Sequence, residues 1–305
     1  MSIRSLDLLD IPTLARYRND VLTLDNVRAL TRGHPLGALG LLAYINPARH
    51  LYAAIENGGE SALLGGIIHT REESFARLLY LAPSSNLRDP QLPALIEHLA
   101  VQAGEWKAVH VIAEVDETSD VFPVLRMTGF SVYAWQRVWD VSLFEKTEPN
   151  SNLSWRRLQS VDLQAVQNLH YQIVPQLLHP VEPAPNRVMG FVHQGIKCYA
   201  NVISGMYGVV LTPLIHPDEN DVSGKITSLV ANLPDRRGRP VYLNVRSYQA
   251  WLEPVLEDLG AKASARQAVM VKHLARMVKN GQPARTLPAT AGVQPSHMSR
   301  MDVDD

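Results

Sequence analysis

Few residues in this chain of 305 have the type and spacing to do chemistry. One group is Ser223, Gly224, Lys225 and Thr227, at the head of a helix-spaced run. A hydroxyl, a Gly N–H, an ammonium and the positive end of a helix together could hold an anion. Asp218, Glu219 and Asp221 precede it and would repel one. The stretch therefore also reads as a solvated acidic loop with an ordinary N-cap at Ser223. Groups able to exchange a proton stand on or near strand-like runs: Glu114 and Asp116, His69 and His216, Tyr133 and Tyr248. Each also fits a packing or strand-end role. Cys198, in the run KCYANVI, reads as a small buried apolar residue with no local partner for a nucleophile. His34, His50, His179 and His193 are scattered without metal-ligand spacing. Neither a phosphate loop nor a dinucleotide fingerprint occurs, and ENGGES suits a hairpin turn.

Composition bounds what must position these groups. The chain is 46% hydrophobic and 19% charged, enough to bury cores, and its length suits two domains. A net charge of -1 argues against nucleic acid as a bulk electrostatic partner. Arg236, Arg237 and Arg239 are too short a cluster to change that and read as a solvated loop. No apolar run suits a signal peptide or a membrane span. One cysteine excludes an internal disulfide, and a cytoplasmic protein is the simplest expectation.

The elements come twice. Residues 123–129 read PVLRMTG and residues 254–260 read PVLEDLG, 131 residues apart. In the first half, strands are expected at 3–8, 51–55, 62–69, 75–82, 109–115 and 130–141. Asp10 reads as a helix N-cap, Leu92, Leu95, Ile96 and Leu99 mark an amphipathic helix, and 121–127 is a short helix stopped by Gly129. In the second half, strands are expected at 155–158, 190–193, 197–203, 207–215, 240–245 and 263–274. Asp162 repeats the N-cap, Ile226, Leu229, Val230 and Leu233 mark the long helix, and Gly260 stops the helix at 252–259. Trp135 and Trp139 share one side of a strand, facing a core or an interdomain surface. The fold class is α/β (α+β): two tandem domains at 1–145 and 153–278, each a mixed, mostly antiparallel sheet flanked by helices. The segment 145–152 is the expected linker, and 279–305 reads as a disordered tail.

The order strand, helices, three antiparallel strands, loop, helix, strand, helix, strand resembles the GNAT (GCN5-related N-acetyltransferase) superfamily. The likeness covers about residues 1–143 and 153–275, and VLRMTGFSVY is similar to that family's helix–Gly-Phe–strand ending. The resemblance implies transfer of an acetyl or acyl group from acetyl-CoA or another acyl-CoA to a small-molecule or peptide amine. It puts the cofactor in the loop between the fourth strand and the next helix, and the amine between strands four and five. Carried over, Leu81, Arg88, Ser223, Gly224, Lys225 and Thr227 become cofactor-binding candidates. Glu114 becomes a candidate general base, and Tyr133 and Tyr248 candidate acids.

The chain departs from the family pattern in several places. Pro90 and Leu92, and Ile226 in the second half, stand where glycines belong, and Pro90 has no N–H to offer. Leu125 and Leu256 occupy the family's proton-donating Tyr position. An alternative expectation is thus an inactive pseudo-GNAT that binds a ligand or a protein partner.

Overall fold

β-branched and aromatic runs become strands, and strands must pair. A computed structural model describes residues 3–7, 10–37, 49–57, 62–70, 73–146 and 155–274. All belong to the unit Met1–Ala275.

The first half runs β1 (Ile3–Ser5), α1 (Ile11–Arg16), β2 (Leu22–Thr23), α2 (Asn26–Arg32), β3 (Arg49–Glu56), β4 (Leu63–Thr70) and β5 (Phe75–Ala82). It continues with α3 (Leu92–Glu105), β6 (His110–Asp116), α4 (Val121–Met127) and β7 (Ser131–Asp140). The second half runs β8 (Trp155–Arg157), α5 (Leu163–Ile173), β9 (Phe191–His193), β10 (Cys198–Ser204) and β11 (Val209–Ile215). After these come α6 (Val222–Ala231), β12 (Val241–Arg246), α7 (Leu252–Asp258), β13 (Lys262–Ala263) and β14 (Gln267–His273).

The fourteen strands form one sheet, ordered β1-β3-β4-β5-β6-β14-β7-β12-β11-β10-β9-β8, with β2 on β5 and β13 on β7. Pairing is antiparallel except β5 with β6 and β11 with β12. The mixed, mostly antiparallel sheet flanked by helices is as the sequence implies. The linkage is not. Each half gives its last strand to the other: β14 pairs with β6, and β7 pairs with β12. The exchanged strands then pair with each other, Gln136 opposite Gln267.

Burial explains why β7 can bridge. Trp135 packs against the first core, while Trp139 lies 1% exposed in the second. One side of a ten-residue strand thus serves two cores. In the first, Leu92, Leu95, Ile96 and Leu99 of α3 join Val121 and Leu125 of α4. In the second, Ile226, Leu229 and Val230 of α6 join Leu252 and Leu256 of α7. Each such side chain contributes about 1.5–3 kcal/mol. Gly129 at φ 83° and Gly260 at φ 78° make the turns after α4 and α7, where a side chain would be strained.

The duplication also shows in detail. Arg4 donates from both Nη atoms to Asp10, each at 2.7 Å, and Arg156 grips Asp162 at 2.5 and 2.7 Å. Each carboxylate also accepts a backbone N–H three residues upstream, from Asp7 and Gln159. Asp10 and Asp162 were expected as N-caps. Asp162 does stand at the N-cap position of α5, without a side-chain cap bond, and both carboxylates clamp the chain entering the helix. The Arg hydrogen bonds hold both carboxyls below the usual range, Asp162 at about 2.

Other expectations shift. Of the strand expected at 3–8, Ile3–Ser5 is strand, 6–7 are not, and 8 lies outside the described residues; 263–274 is split into β13 and β14. Arg236 is buried, with Nη2 donating to Ser142 O at 2.9 Å, so it belongs to no solvated loop. The linker at 145–152 begins in a short 3-10 helix, Ser142–Lys146; the rest of it, and the tail, lie outside the described residues. Cys198 is buried as expected, and burial pushes its thiol up to about 12. Among the described residues no helix is long and apolar enough to cross a membrane, and no group of three His, Cys, Asp or Glu could hold a metal.

Candidate functional site at two splayed strand pairs and their junction

Parallel strands that pair over only a few residues must separate beyond them, leaving backbone groups to satisfy. β5 and β6 pair only at Phe75–His110, Ala76–Val111 and Arg77–Ile112. β11 and β12 pair only at Val209–Val241, Val210–Tyr242 and Leu211–Leu243. Each half therefore contains a V-shaped gap.

The protein itself closes both. In the first half β2 enters, pairing Leu22 with Leu81 and Thr23 with Tyr80. Leu24 N–H donates to Leu79 O at 2.8 Å, and Leu24 O accepts Glu114 N–H at 2.9 Å. Leu79 is the extra residue of a β-bulge against β4, which frees its carbonyl for Leu24. Leu24 is 1% exposed. In the second half one side chain does this work. Gln249, also 1% exposed, accepts Ile215 N–H at 2.9 Å and donates to Pro213 O at 2.7 Å. A carboxamide offers both a donor and an acceptor, so it completes both groups on β11.

The β–α loops are equally occupied. Before α3, Asp20 accepts the Ser84 hydroxyl, Ser85 N–H at 3.0 Å and the Ser85 hydroxyl at 2.5 Å. Arg88 is turned to Asp120 at 2.8 Å. Before α6, the N-cap is Asp221, not Ser223; its carboxylate accepts Gly224 N–H at 3.1 Å and lies 3.5 Å from Ser223 Oγ. Lys225 is buried and donates to Glu219 and to Asn220 O. Burial pushes the Glu219 carboxyl up, but the Lys225 hydrogen bond and charge outweigh this, and its pKa is lowered. Thr227 Oγ1 donates within its own helix, to Ser223 O or Gly224 O. Of the six cofactor candidates, only Ser223, Gly224, Lys225 and Thr227 come together. Leu81 lies in the first core, and Arg88 is on the other half's loop.

No family model and no curated protein sequence matches the chain. Solved structures do. A GCN5-related N-acetyltransferase from Sphaerobacter thermophilus matches 89% of this chain and 95% of its own, with a TM-score of 0.53 at 14% identity. A putative acetyltransferase from Pyrococcus horikoshii matches 90% of this chain and 89% of its own, with a TM-score of 0.52 at 10% identity. The chain has the GNAT acetyltransferase fold.

In this GNAT-fold protein the three expected proton-handling residues converge where the halves meet. Tyr133 donates to Glu182 Oε1 at 3.2 Å, and Tyr248 to Glu182 Oε2 at 2.5 Å. Arg246 Nε lies 2.9 Å from Glu182 Oε1, and its Nη2 is 3.8 Å from Glu114 Oε1. Glu114 is 1% exposed, so it is not the exposed strand-end carboxylate its position suggests. Its Oε2 accepts Asn26 N–H at 3.0 Å. Arg246 also donates to Gln136, whose amide donates to Gln267 at 3.1 Å. Gln267 in turn accepts from Asn26 at 2.6 Å and donates to Asp116 at 3.0 Å.

Burial pushes the Tyr133 and Tyr248 hydroxyls far up, with Glu182 adding to both, so they stay protonated. Burial works against the Arg246 charge, but Glu182, Tyr133 and Glu114 more than offset it, and its pKa is raised. The cluster is a hydrogen-bonded network in which Arg246 lies between the carboxylates of Glu182 and Glu114. Sequence reasoning missed Arg246, Glu182 and Gln249. It also missed Gln136 and Gln267, which repeat the 131-residue offset of the PVL pair and were readable from it.

Proposed function

We propose that this chain is a GNAT-fold binding and interaction module in which acyl-CoA transfer has lapsed. The closing of both strand gaps by the protein's own groups carries this reading. An acyl arm entering the first half has to displace Leu24 from the core and break its bonds to Leu79 and Glu114. In the second half it has to expel Gln249. A diphosphate at α6 meets Asp221 and Glu219, already holding the donors it needs. Leu125 and Leu256, buried in the two cores, have no proton to give. The natural occupant of such a module is a small amine-bearing ligand or a protein partner, in a cytoplasmic setting.

A second reading is an N-acyltransferase passing an acyl group from acyl-CoA to a small-molecule or peptide amine. The splay kept in both halves and the meeting of Glu114, Tyr133 and Tyr248 favour it. In it Glu114 is the base and a tyrosine the acid, with Ser223 to Thr227 on the diphosphate.

Thermal melting with millimolar acetyl-CoA, longer acyl-CoAs and free CoA separates the two. A ligand at 100 times its Kd adds about 2.7 kcal/mol and raises Tm by a few degrees. The expected result is no shift and no thiol release with a panel of amines. A clear rise together with released thiol would reverse the order of the readings.

A further inference from the structure

A groove of about 440 Å³ runs between α2 and the front of the sheet where the halves meet. Thr23 of β2, the strand that closes the first gap, lines one part of it. Asn26, Ala29 and Leu30 of α2 form one wall, at helical spacing. Val138 and Asp140 of β7, Tyr242 of β12, β13 with Ser264, and Gln267 form the other.

The groove has two chemically distinct ends. Gln267 stands opposite Gln136, while Lys262 stands opposite Asp140, four residues further along β7. At about 3.3 Å per residue the ends lie roughly 13 Å apart. At the far end an acid and a base face each other across strands, yet neither is in an ion pair with a described residue. Asp140 uses Oδ1 to accept Ser142 N–H at 2.9 Å. Tyr242, opposite Asp140, has its hydroxyl pushed up by burial and by Asp140, so it stays a neutral hydroxyl whose oxygen can accept. At the near end Asn26 gives its amide N–H to Gln267, and its Oδ1 accepts no hydrogen bond from a described residue. Between the ends the walls are Ala29, Leu30, Val138 and Ala263, with the Ser264 hydroxyl occupied by Val138 N–H and Ala265 O.

A carboxylate beside an ammonium, neither in an ion pair with a described residue, matches a ligand carrying both charges on one carbon. An apolar middle and an acceptor at the other end match a side chain with methylenes and an N–H tip. The volume suits a small molecule. We propose that the groove binds a free α-amino acid of this shape. Its ammonium sits at Asp140 and Tyr242, its carboxylate at Lys262, and its polar tip at Asn26. This deepens the binding-module reading and rests on it for the role, although the recognition stands independently of the acyl-CoA gaps.

Calorimetric titration of the full chain with L-glutamine tests it. Binding is expected, weakened about tenfold or more for N-acetyl-L-glutamine and for L-glutamine amide, each lacking one charge. Asp140→Asn and Lys262→Met should each weaken L-glutamine by a similar factor with unchanged Tm. Asp140→Asn should no longer distinguish L-glutamine from its N-acetyl form. No heat with L-glutamine or L-leucine up to about 10 mM, or equal binding by both variants, overturns the groove. Adding acetyl-CoA to the same samples keeps the questions apart. Thiol release would overturn the lapsed-transfer reading and leave the groove standing.

Discussion

The two halves close the same gap by unlike means. The first spends a stretch of backbone on it: β2 becomes an extra strand, and Leu24 enters the core. The second spends one side chain, Gln249, whose amide satisfies Pro213 O and Ile215 N–H. Different solutions at equivalent places point to a shared requirement. Parallel strands that diverge leave unpaired backbone groups, and something must complete them. The cost of reopening should differ accordingly.

The largest effect is expected where the halves join. Arg246→Met removes the ion pair of half-buried Glu182 and one of the cations near buried Glu114, and should cost about 3–5 kcal/mol in chemical denaturation. A loss under about 1 kcal/mol, the scale of exposed ion pairs, would mean that the network is solvated and the halves are independently held. Next comes the backbone plug. Leu24→Ala removes a buried side chain and should cost about 2–5 kcal/mol, without creating acetyl-CoA binding, because the backbone of β2 stays in place. Gln249→Ala orphans two backbone groups and should cost about 1–3 kcal/mol. It opens the second gap, so any acetyl-CoA-dependent rise in Tm should appear in this variant first. Equal costs and equal ligand responses would erase the distinction between the plugs.

The smallest effect concerns the paired clamps. Asp162 has a folded pKa of about 2, below its ordinary 3.8, because Arg156 binds the charged form. A lowered carboxyl pKa stabilises the fold above the unfolded value and loses that contribution as pH falls through the folded one. The Asp162 contribution is therefore present above about pH 4 and fades toward pH 2. Asp10, lowered by Arg4, follows the same direction. Urea midpoints against pH should show a shallower acid decline in Asp162→Asn and in Asp10→Asn. An unchanged decline in both would show that the clamps do not couple to folding.

Much of the fold was legible because local patterns agree with it. The spacing of Leu92, Leu95, Ile96 and Leu99 marks α3, and the PVL pair ending in Gly129 and Gly260 marks equivalent helices and their turns. Of the residues with proton-exchanging chemistry, Tyr133 and Tyr248 share Glu182, and Glu114 lies 3.8 Å from the Arg246 that binds Glu182. Their shared anchors, Glu182 and Arg246, were invisible because one sits in a Pro-rich loop and the other ends a strand that looks apolar. The loop before α6 was misread by two residues: Asp221, not Ser223, caps the helix.

By itself the sequence determined an α/β chain whose elements come twice, with its helix faces and stops. Periodicity and turn chemistry act over a few residues, so they survive in one dimension. Only the tertiary structure decided that β7 and β14 change places, that β2 and Gln249 fill the two gaps, and that Asp140 and Lys262 stand opposite each other on paired strands at one end of the groove. Those outcomes depend on which backbone groups are left unpaired once distant strands have met. No local pattern carries that information.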